Sequence, residues 1–208
     1  MILTHGANSL VRGKYVEIGG RKYPVVKIGN RLWMAENLDY KSDGIIISTT
    51  IADYTPYMCY YNNDESTYGY DGNKCGALYN VSALWYINNL LNSDGFAPTG
   101  WRIATKSDYQ TLIDYAGGGD TAEVRSKLKS NQLWDIPGTN DLGFSLLPNG
   151  AYDSSGFGFF GTLGALWTAT EYSSYQQYIF FVNNSNVSVS QHWDRAGFEG
   201  IRLVKDAS

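Results

Sequence analysis

The chain has few of the residues that ordinary catalysis draws on. It contains 2 histidines, His5 and His192, and 2 cysteines, Cys59 and Cys75, in 208 residues. A Ser-His-Asp or Cys-His arrangement needs a base oriented by a third group. A zinc site needs three or four His, Cys or carboxylate ligands at workable spacing. Neither pattern is present, so no enzyme activity, cofactor or metal is expected. His5 falls in an aperiodic N-terminal stretch, and His192 reads as a surface histidine with Asp194 two positions on. Charge is scarce as well, at 17% of residues and a net -4. Nucleic-acid binding needs clustered Lys and Arg, and no basic run here exceeds two residues. No run approaches the roughly 18 apolar residues of a membrane span, so membrane insertion is not expected. The opening Met1-Ile2-Leu3-Thr4-His5 lacks the basic region and apolar core of a signal peptide. Cys59 and Cys75 either close one loop or stay as partly buried thiols, which leaves the redox compartment open.

What remains is a globular composition, 43% hydrophobic and rich in tyrosine with 17 residues, in one large domain. Residues 1–13 read as an arm and 14–208 as the domain. From Lys14 a strand-turn unit occurs twice, Val16-Glu17-Ile18-Gly19-Gly20-Arg21 and Val26-Lys27-Ile28-Gly29-Asn30-Arg31. Glycine reaches the positive φ of two-residue hairpin turns, so Lys14 to Leu38 predicts a three-stranded meander. Residues 39–76 are loop-rich. Their acidic clusters, Asn62 to Glu65 and Tyr70 to Asn73, read as solvated turns without calcium-ligand spacing.

Ala77 to Leu91 carries Leu78, Val81, Leu84, Ile87 and Leu91 at helical spacing. Ser107 is a candidate N-cap for a second helix, Asp108 to Tyr115, that Gly117 to Gly119 ends. Glu123 to Lys129 predicts a short third one. Short strands and long loops after these helices give an α+β class. Trp33, Trp85, Trp101, Trp134 and Trp167 sit among apolar neighbours and read as core or loop anchors. Trp193 lies among polar residues and reads equally as an interface anchor or as core.

Between Tyr172 and Arg195 the polar residues are mostly Tyr, Ser, Asn and Gln, with Asp194 and Arg195 the only charges. An ordinary solvated surface uses more Lys and Glu. Tyr supplies contact area at low entropic cost, and Ser and Asn adapt their hydrogen bonds, so this palette suits a binding surface. The competing reading is a Tyr/Ser-rich edge with no partner. Val187 and Val189 alternate with Ser188 and Ser190 after a turn at Asn183 to Asn186, so the serines, with His192, share one face by period two.

Several motifs then fall in one order. They are Val25 to Leu38, Gly76-Ala77-Leu78-Tyr79-Asn80, Pro98-Thr99-Gly100-Trp101-Arg102, Gly143 to Gly150, Leu166 to Tyr172 and Ile201 to Asp206. Over residues 14–206 the chain resembles the Fibrobacter succinogenes major paralogous domain family. That resemblance implies a C-type lectin-like fold, with two helices flanking small antiparallel sheets and long loops presenting a ligand surface. It also implies a protein or glycan ligand on a cell surface, and a place at the cell surface, in secretion or on a phage virion. Members often carry a Cys before the Pro-x-Gly-Trp motif and another in the closing strand; Ala97 and Leu203 stand there here.

Calcium-dependent lectins of this fold use a Glu-Pro-Asn or Gln-Pro-Asp motif and a Trp-Asn-Asp. Leu147-Pro148-Asn149 and His192-Trp193-Asp194 match neither. The formylglycine-generating enzymes of this fold use cysteines in places that Cys59 and Cys75 do not occupy. The fold is similar, too, to that of proteins diversified by retroelements that mutate adenines, whose variable positions favour the residue set seen at 172–198.

The expected function is non-catalytic ligand binding, as an adhesin or receptor-binding protein. The aromatic anchors are Tyr172, Tyr175, Tyr178 and Trp193. The adaptable or neighbouring contacts are Ser173, Ser174, Gln176, Ser188, Ser190, Gln191, His192, Asp194, Ala196 and Phe198. The alternative is a pilus or virion subunit that uses the same face for self-association.

Overall fold

Gly19 and Gly20 take φ of 55° and 81°, the left-handed values that a two-residue hairpin turn demands. They join β1 (Leu10–Ile18) to β2 (Arg21–Ile28), and a second turn with Gly29 at φ 58° leads into β3 (Arg31–Met34). The expected meander is therefore present. The computed structural model describes residues 10–50, 54–174, 176–192 and 197–207, with the side chains of 10–13 and 192 outside the description. β1 starts at Leu10, inside the stretch read as an arm, because Leu10 pairs with Val26 across a register shift; residues 1–9 lie outside the described residues.

Two short strands follow, β4 (Ile46–Ile47) and β5 (Tyr57–Cys59). Asp64 then caps a one-turn helix α1 (Glu65–Tyr68), its carboxylate accepting from the Thr67 amide at 3.1 Å. The helix expected from Ala77 begins only at Val81. Leu78 and Tyr79 form β6, antiparallel to β5, and Asn80 caps α2 (Val81–Leu90) by accepting from the Ala83 amide. The same Asn80 oxygen accepts from Tyr57 N at 2.9 Å, so one amide ends a strand pair and starts a helix.

After β7 (Arg102–Ile103) comes α3 (Lys106–Ala116), capped by Thr105 rather than by Ser107. Thr105 and Asp108, three residues on, form the reciprocal capping box, and Arg102 of β7 holds the Asp108 carboxylate in place, whereas Ser107 falls inside the helix. Gly117 ends α3 as expected, and Thr121 caps α4 (Ala122–Leu128). The chain closes with β8 (Ala151–Asp153), β9 (Gly156–Gly158), β10 (Leu163–Ser173), β11 (Gln176–Asn183), β12 (Val187–His192) and β13 (Leu203–Asp206).

The architecture is mixed α+β with small, mainly antiparallel sheets; among the described strands β4 and β5 pair in parallel. The largest sheet runs β1-β2-β3-β13-β7, so the last strand is inserted beside the third. Its strands bury both faces. Tyr23, Val25, Met34 and Leu203 join α2 in one core, while Val26, Ile28, Trp33 and Val204 join α3 and α4 in the other. The second core is aromatic: Trp33 meets Tyr109 and Phe144, and Tyr109 stacks flat on Phe180 at 4.5 Å. Trp33, Trp101, Trp134 and Trp167 are buried and Trp85 packs half-buried against the first core, as the anchor reading expects. Trp193 lies outside the described residues. Among the described residues no helix is long and apolar enough to cross a membrane.

Cys59 and Cys75 are both buried and unbridged, which decides between the two alternatives left open above. Burial pushes each thiol up to about 12, so neither is a thiolate at neutral pH. A thiol reagent such as DTNB at pH 8 is expected to label neither in the native protein and both after denaturation. Labelling of the folded protein within minutes would contradict this burial.

Candidate binding face

The sheet β10-β11-β12 is set by its last turn. Asn183 Oδ1 accepts from the amides of Ser185 and Asn186 at 2.8 and 2.7 Å, which folds the chain back after β11. From there the register is regular: Val182 faces Val187, Phe181 faces Ser188, Phe180 faces Val189 and Ile179 faces Ser190. Paired residues share a face and successive residues alternate. Phe180, Val182, Val187 and Val189 therefore point inward to α3, in the aromatic core. Ile179, Phe181, Ser188 and Ser190 point outward. The valine-serine alternation read from the sequence is present as expected.

β10 continues this pattern. Leu166 joins the α3 core, while Trp167, opposite Ile179, joins the core around α2. The outward face is thus covered at its Trp167 end and open at its Leu163 end. There it forms a groove of about 510 Å³. Phe159, Leu163, Ile179 and Phe181 make an apolar floor, and Thr162, Asn183, Asn184 and Ser185 make an amide and hydroxyl rim with no charged residue in the lining. Lys129 steadies the rim from beneath, donating to Asn184 Oδ1 at 3.0 Å while its ammonium sits 4.3 Å from the Trp134 ring centroid. Burial, then the nearby Arg125, lowers its pKa.

Phe159 shares two features with Tyr54 and Leu133, but of the three it alone lines the groove. Its ring is 64% exposed, and its backbone is left-handed at φ 67°. The loop that holds it is closed by three bonds to the Phe159 carbonyl, from the amides of Thr162 and Leu163 and the Thr162 hydroxyl. A bulky residue with positive φ is a genuine outlier whose cost the surroundings must offset.

The residues expected to form one ligand surface are divided between two sides of the sheet. Ser188 and Ser190 lie on the outward face beside the groove. Tyr178 has the parity of Phe180 and faces the α3 side, where Lys106 at the helix start lies 4.0 Å from its ring centroid. Tyr172, 49% exposed, meets Tyr178 edge-on at 5.3 Å. Gln191, opposite Tyr178, shares that side. Ser173 and Ser174 are exposed and Gln176 is half-buried at the β10–β11 turn. Tyr175, Trp193, Asp194 and Ala196 lie outside the described residues, as does the His192 side chain. Among the described residues no three His, Cys, Asp or Glu side chains stand together as a metal would require.

Phe198 needs a correction: it is fully buried, packed with Cys59 and Leu78 and edge-on to Tyr152. The chain has by then re-entered the scaffold. Phe198 and Tyr152 exchange backbone bonds at 2.8 and 3.2 Å, and Glu199 does the same with Tyr79. Phe159, Leu163, Ile179 and Phe181 were missed by the sequence reading. The available signals were the glycine-punctuated run Gly156-Phe157-Gly158-Phe159-Phe160-Gly161 and the shared parity of Ile179, Phe181 and the two serines.

The model of the Fibrobacter succinogenes major domain matches residues 26–205. The chain belongs to that family. No curated protein and no solved structure matches it. Within this family domain the shared motifs build scaffold rather than groove. Asn149 locks Ala165 of β10 through both amide atoms, at 3.0 and 3.1 Å. Trp167 donates its indole N–H to the Tyr79 carbonyl at 2.6 Å. Arg202 is fully buried and donates to Asn37 Oδ1 at 2.7 Å, to Ser145 O at 2.9 Å and to Phe144 O. One guanidinium thereby ties the first, fourth and last motifs together.

Proposed function

We propose that this family domain is a non-catalytic ligand-binding module of C-type lectin-like fold, an adhesin or receptor-binding protein. Its ligand, a protein or glycan on a cell surface, seats on the outward face of β10–β12. The observation that carries the reading is Phe159. A left-handed phenylalanine costs on the order of 1–2 kcal/mol, and a ring that is mostly in solvent regains little of that by burial. Placed over an uncharged groove floored by Leu163, Ile179 and Phe181, the ring adds contact area for a partner. The Tyr172, Tyr178 and Lys106 cluster offers a second, smaller contact on the α3 side.

The test pairs binding with stability. Fluorescent protein is screened on a glycan array and on intact cells, and Phe159→Gly is compared with the parent chain. Glycine relieves the positive φ and removes the ring. The variant is expected to stay within about 1 kcal/mol of the parent in stability while losing at least tenfold in binding. Undiminished binding by the variant sinks the groove reading. The assembly reading places a second copy on the same face, and light scattering over a concentration series separates the two. Diversification of the 172–198 segment is tested on the surrounding DNA, where a near-identical repeat differing at adenines is the expected finding.

A further inference from the structure

We propose that the ligand is an extended segment of polypeptide, which adds to β12 as a fourth strand. This rests on the reading that the outward face of β10–β12 is where the ligand seats. The first support is the direction of the backbone groups. In an antiparallel pair, residues that exchange hydrogen bonds alternate with residues that do not. Asn183 N donates to Asn186 O at 2.9 Å, which sets the phase. Ser188 and Ser190 then bond to Phe181 and Ile179, and Val187, Val189 and Gln191 turn their N–H and C=O groups away from β11. Val187 shows this directly, since its N–H donates outward to Asp120 Oδ1 at 3.0 Å. Among the described residues nothing bonds the outward groups of Val189 and Gln191.

The second support is that β12 itself carries none of the usual edge guards beyond its Asp120-held start. Exposed edges are ordinarily blunted by Lys, Pro, inward charges or bulges. Val187 to His192 contains no Lys, Asp, Glu or Pro, and its pairing with β11 has no register shift. The opposite edge of the sheet is closed, because β10 bonds the returning chain through Trp167 N to Gly200 O and Gly200 N to Ala165 O. One edge is covered; on the other, among the described residues, Asp120 takes the Val187 N–H and the outward groups of Val189 and Gln191, about 6.8 Å apart, are left for a partner. That spacing is the complement of another strand; a glycan has no matching repeat.

The third support is the outward face beside the edge. Ser188 and Ser190 are small, and the rings and branches behind them, Phe181 and Ile179, belong to the groove floor. A long apolar side chain on an added strand passes over the serines and reaches that floor. The uncharged lining selects an uncharged segment with large apolar residues at alternate positions.

A random 12-residue peptide library displayed on phage, panned on the intact protein, supplies the probe. The best peptide is then synthesised and titrated while amide exchange is followed by NMR. The expected result is alternation: the Val189 and Gln191 amides slow at least tenfold on saturation, and those of Ser188 and Ser190 do not change. Gln191→Pro removes one outward donor without touching a β11 bond and weakens the peptide at least tenfold. If that variant fails to fold, the exchange pattern of the parent chain decides alone.

Failure to select any peptide overturns the proposal, and so does a bound peptide that leaves both outward amides unchanged. Protection that grows with protein concentration without peptide also overturns it, by giving the edge to a second copy. Glycan binding that Phe159→Gly abolishes, with no peptide selected, defeats strand addition and leaves the ligand-binding reading standing. Alternating protection by a peptide whose affinity ignores Phe159→Gly does the reverse to the groove.

Discussion

Replacing Arg202 by alanine is expected to destabilise the domain by about 3–5 kcal/mol, the cost of a core cavity and of several buried acceptors left without a donor. The guanidinium has no solvent exposure and lies 4.4 Å from the Phe144 ring centroid. Burial pushes its pKa down to about 10, so it is still a cation at neutral pH. It is held by Asn37 and the carbonyls of Phe144 and Ser145, with Met34 O at 3.4 Å. Alanine leaves these acceptors buried without a donor and opens a cavity beside Phe144. For a chain of this length the melting temperature falls by on the order of 10 °C. Arg202→Met restores much of the volume but none of the donors, so it lies between the two. Urea denaturation with equal slopes measures both; a loss below 1 kcal/mol for alanine means that the acceptors find other donors.

Asp108 governs the expected acid response. Burial pushes its carboxyl up, but hydrogen bonds from Arg102 and from the Thr105 hydroxyl and amide outweigh that and hold it well below the usual carboxylate range. Arg31 adds a bond at 3.1 Å. A carboxyl with a depressed folded-state pKa contributes stability that is complete above its unfolded value, roughly 3.9, and is lost as pH falls through the folded value. The urea midpoint of the parent chain is therefore expected to decline below about pH 4. Asp108→Asn is expected to cost about 3 kcal/mol at pH 7 and to show a shallower decline, the two curves converging in acid. Parallel curves throughout that range would assign the acid loss to other carboxylates.

Local signals in the sequence were legible where short-range geometry decides. Gly19-Gly20 demands its hairpin whatever surrounds it, and Val187 to Ser190 alternates because a strand has period two. Two errors arose where a second partner arbitrates. Helical spacing from Ala77 was overridden at Leu78 and Tyr79 by pairing with β5, and Ser107 lost the cap to Thr105 because Arg102 of β7 holds Asp108, the partner of Thr105, in place. Phe198 has the residue type of the palette, yet the pairing of its neighbours with Tyr152 and Tyr79 draws it into the core.

By itself, the sequence determined the family, the α+β class, the meander, the presence of the three longer helices and the polar, charge-poor character of the last sheet. The family follows from the order of its motifs along the chain, and the rest from turn chemistry, periodicity and composition, which act over a few residues. The tertiary structure alone decided that Tyr172 and Tyr178 lie on the opposite side of that sheet from Ser188 and Ser190. It also set Phe159, in the loop that leads into β10, at one groove with Phe181, and among the described residues left the outward groups of Val189 and Gln191 on β12 unbonded while Gly200 covers β10. Each of those outcomes depends on strand register and on contacts between segments far apart in the chain, which no local pattern encodes.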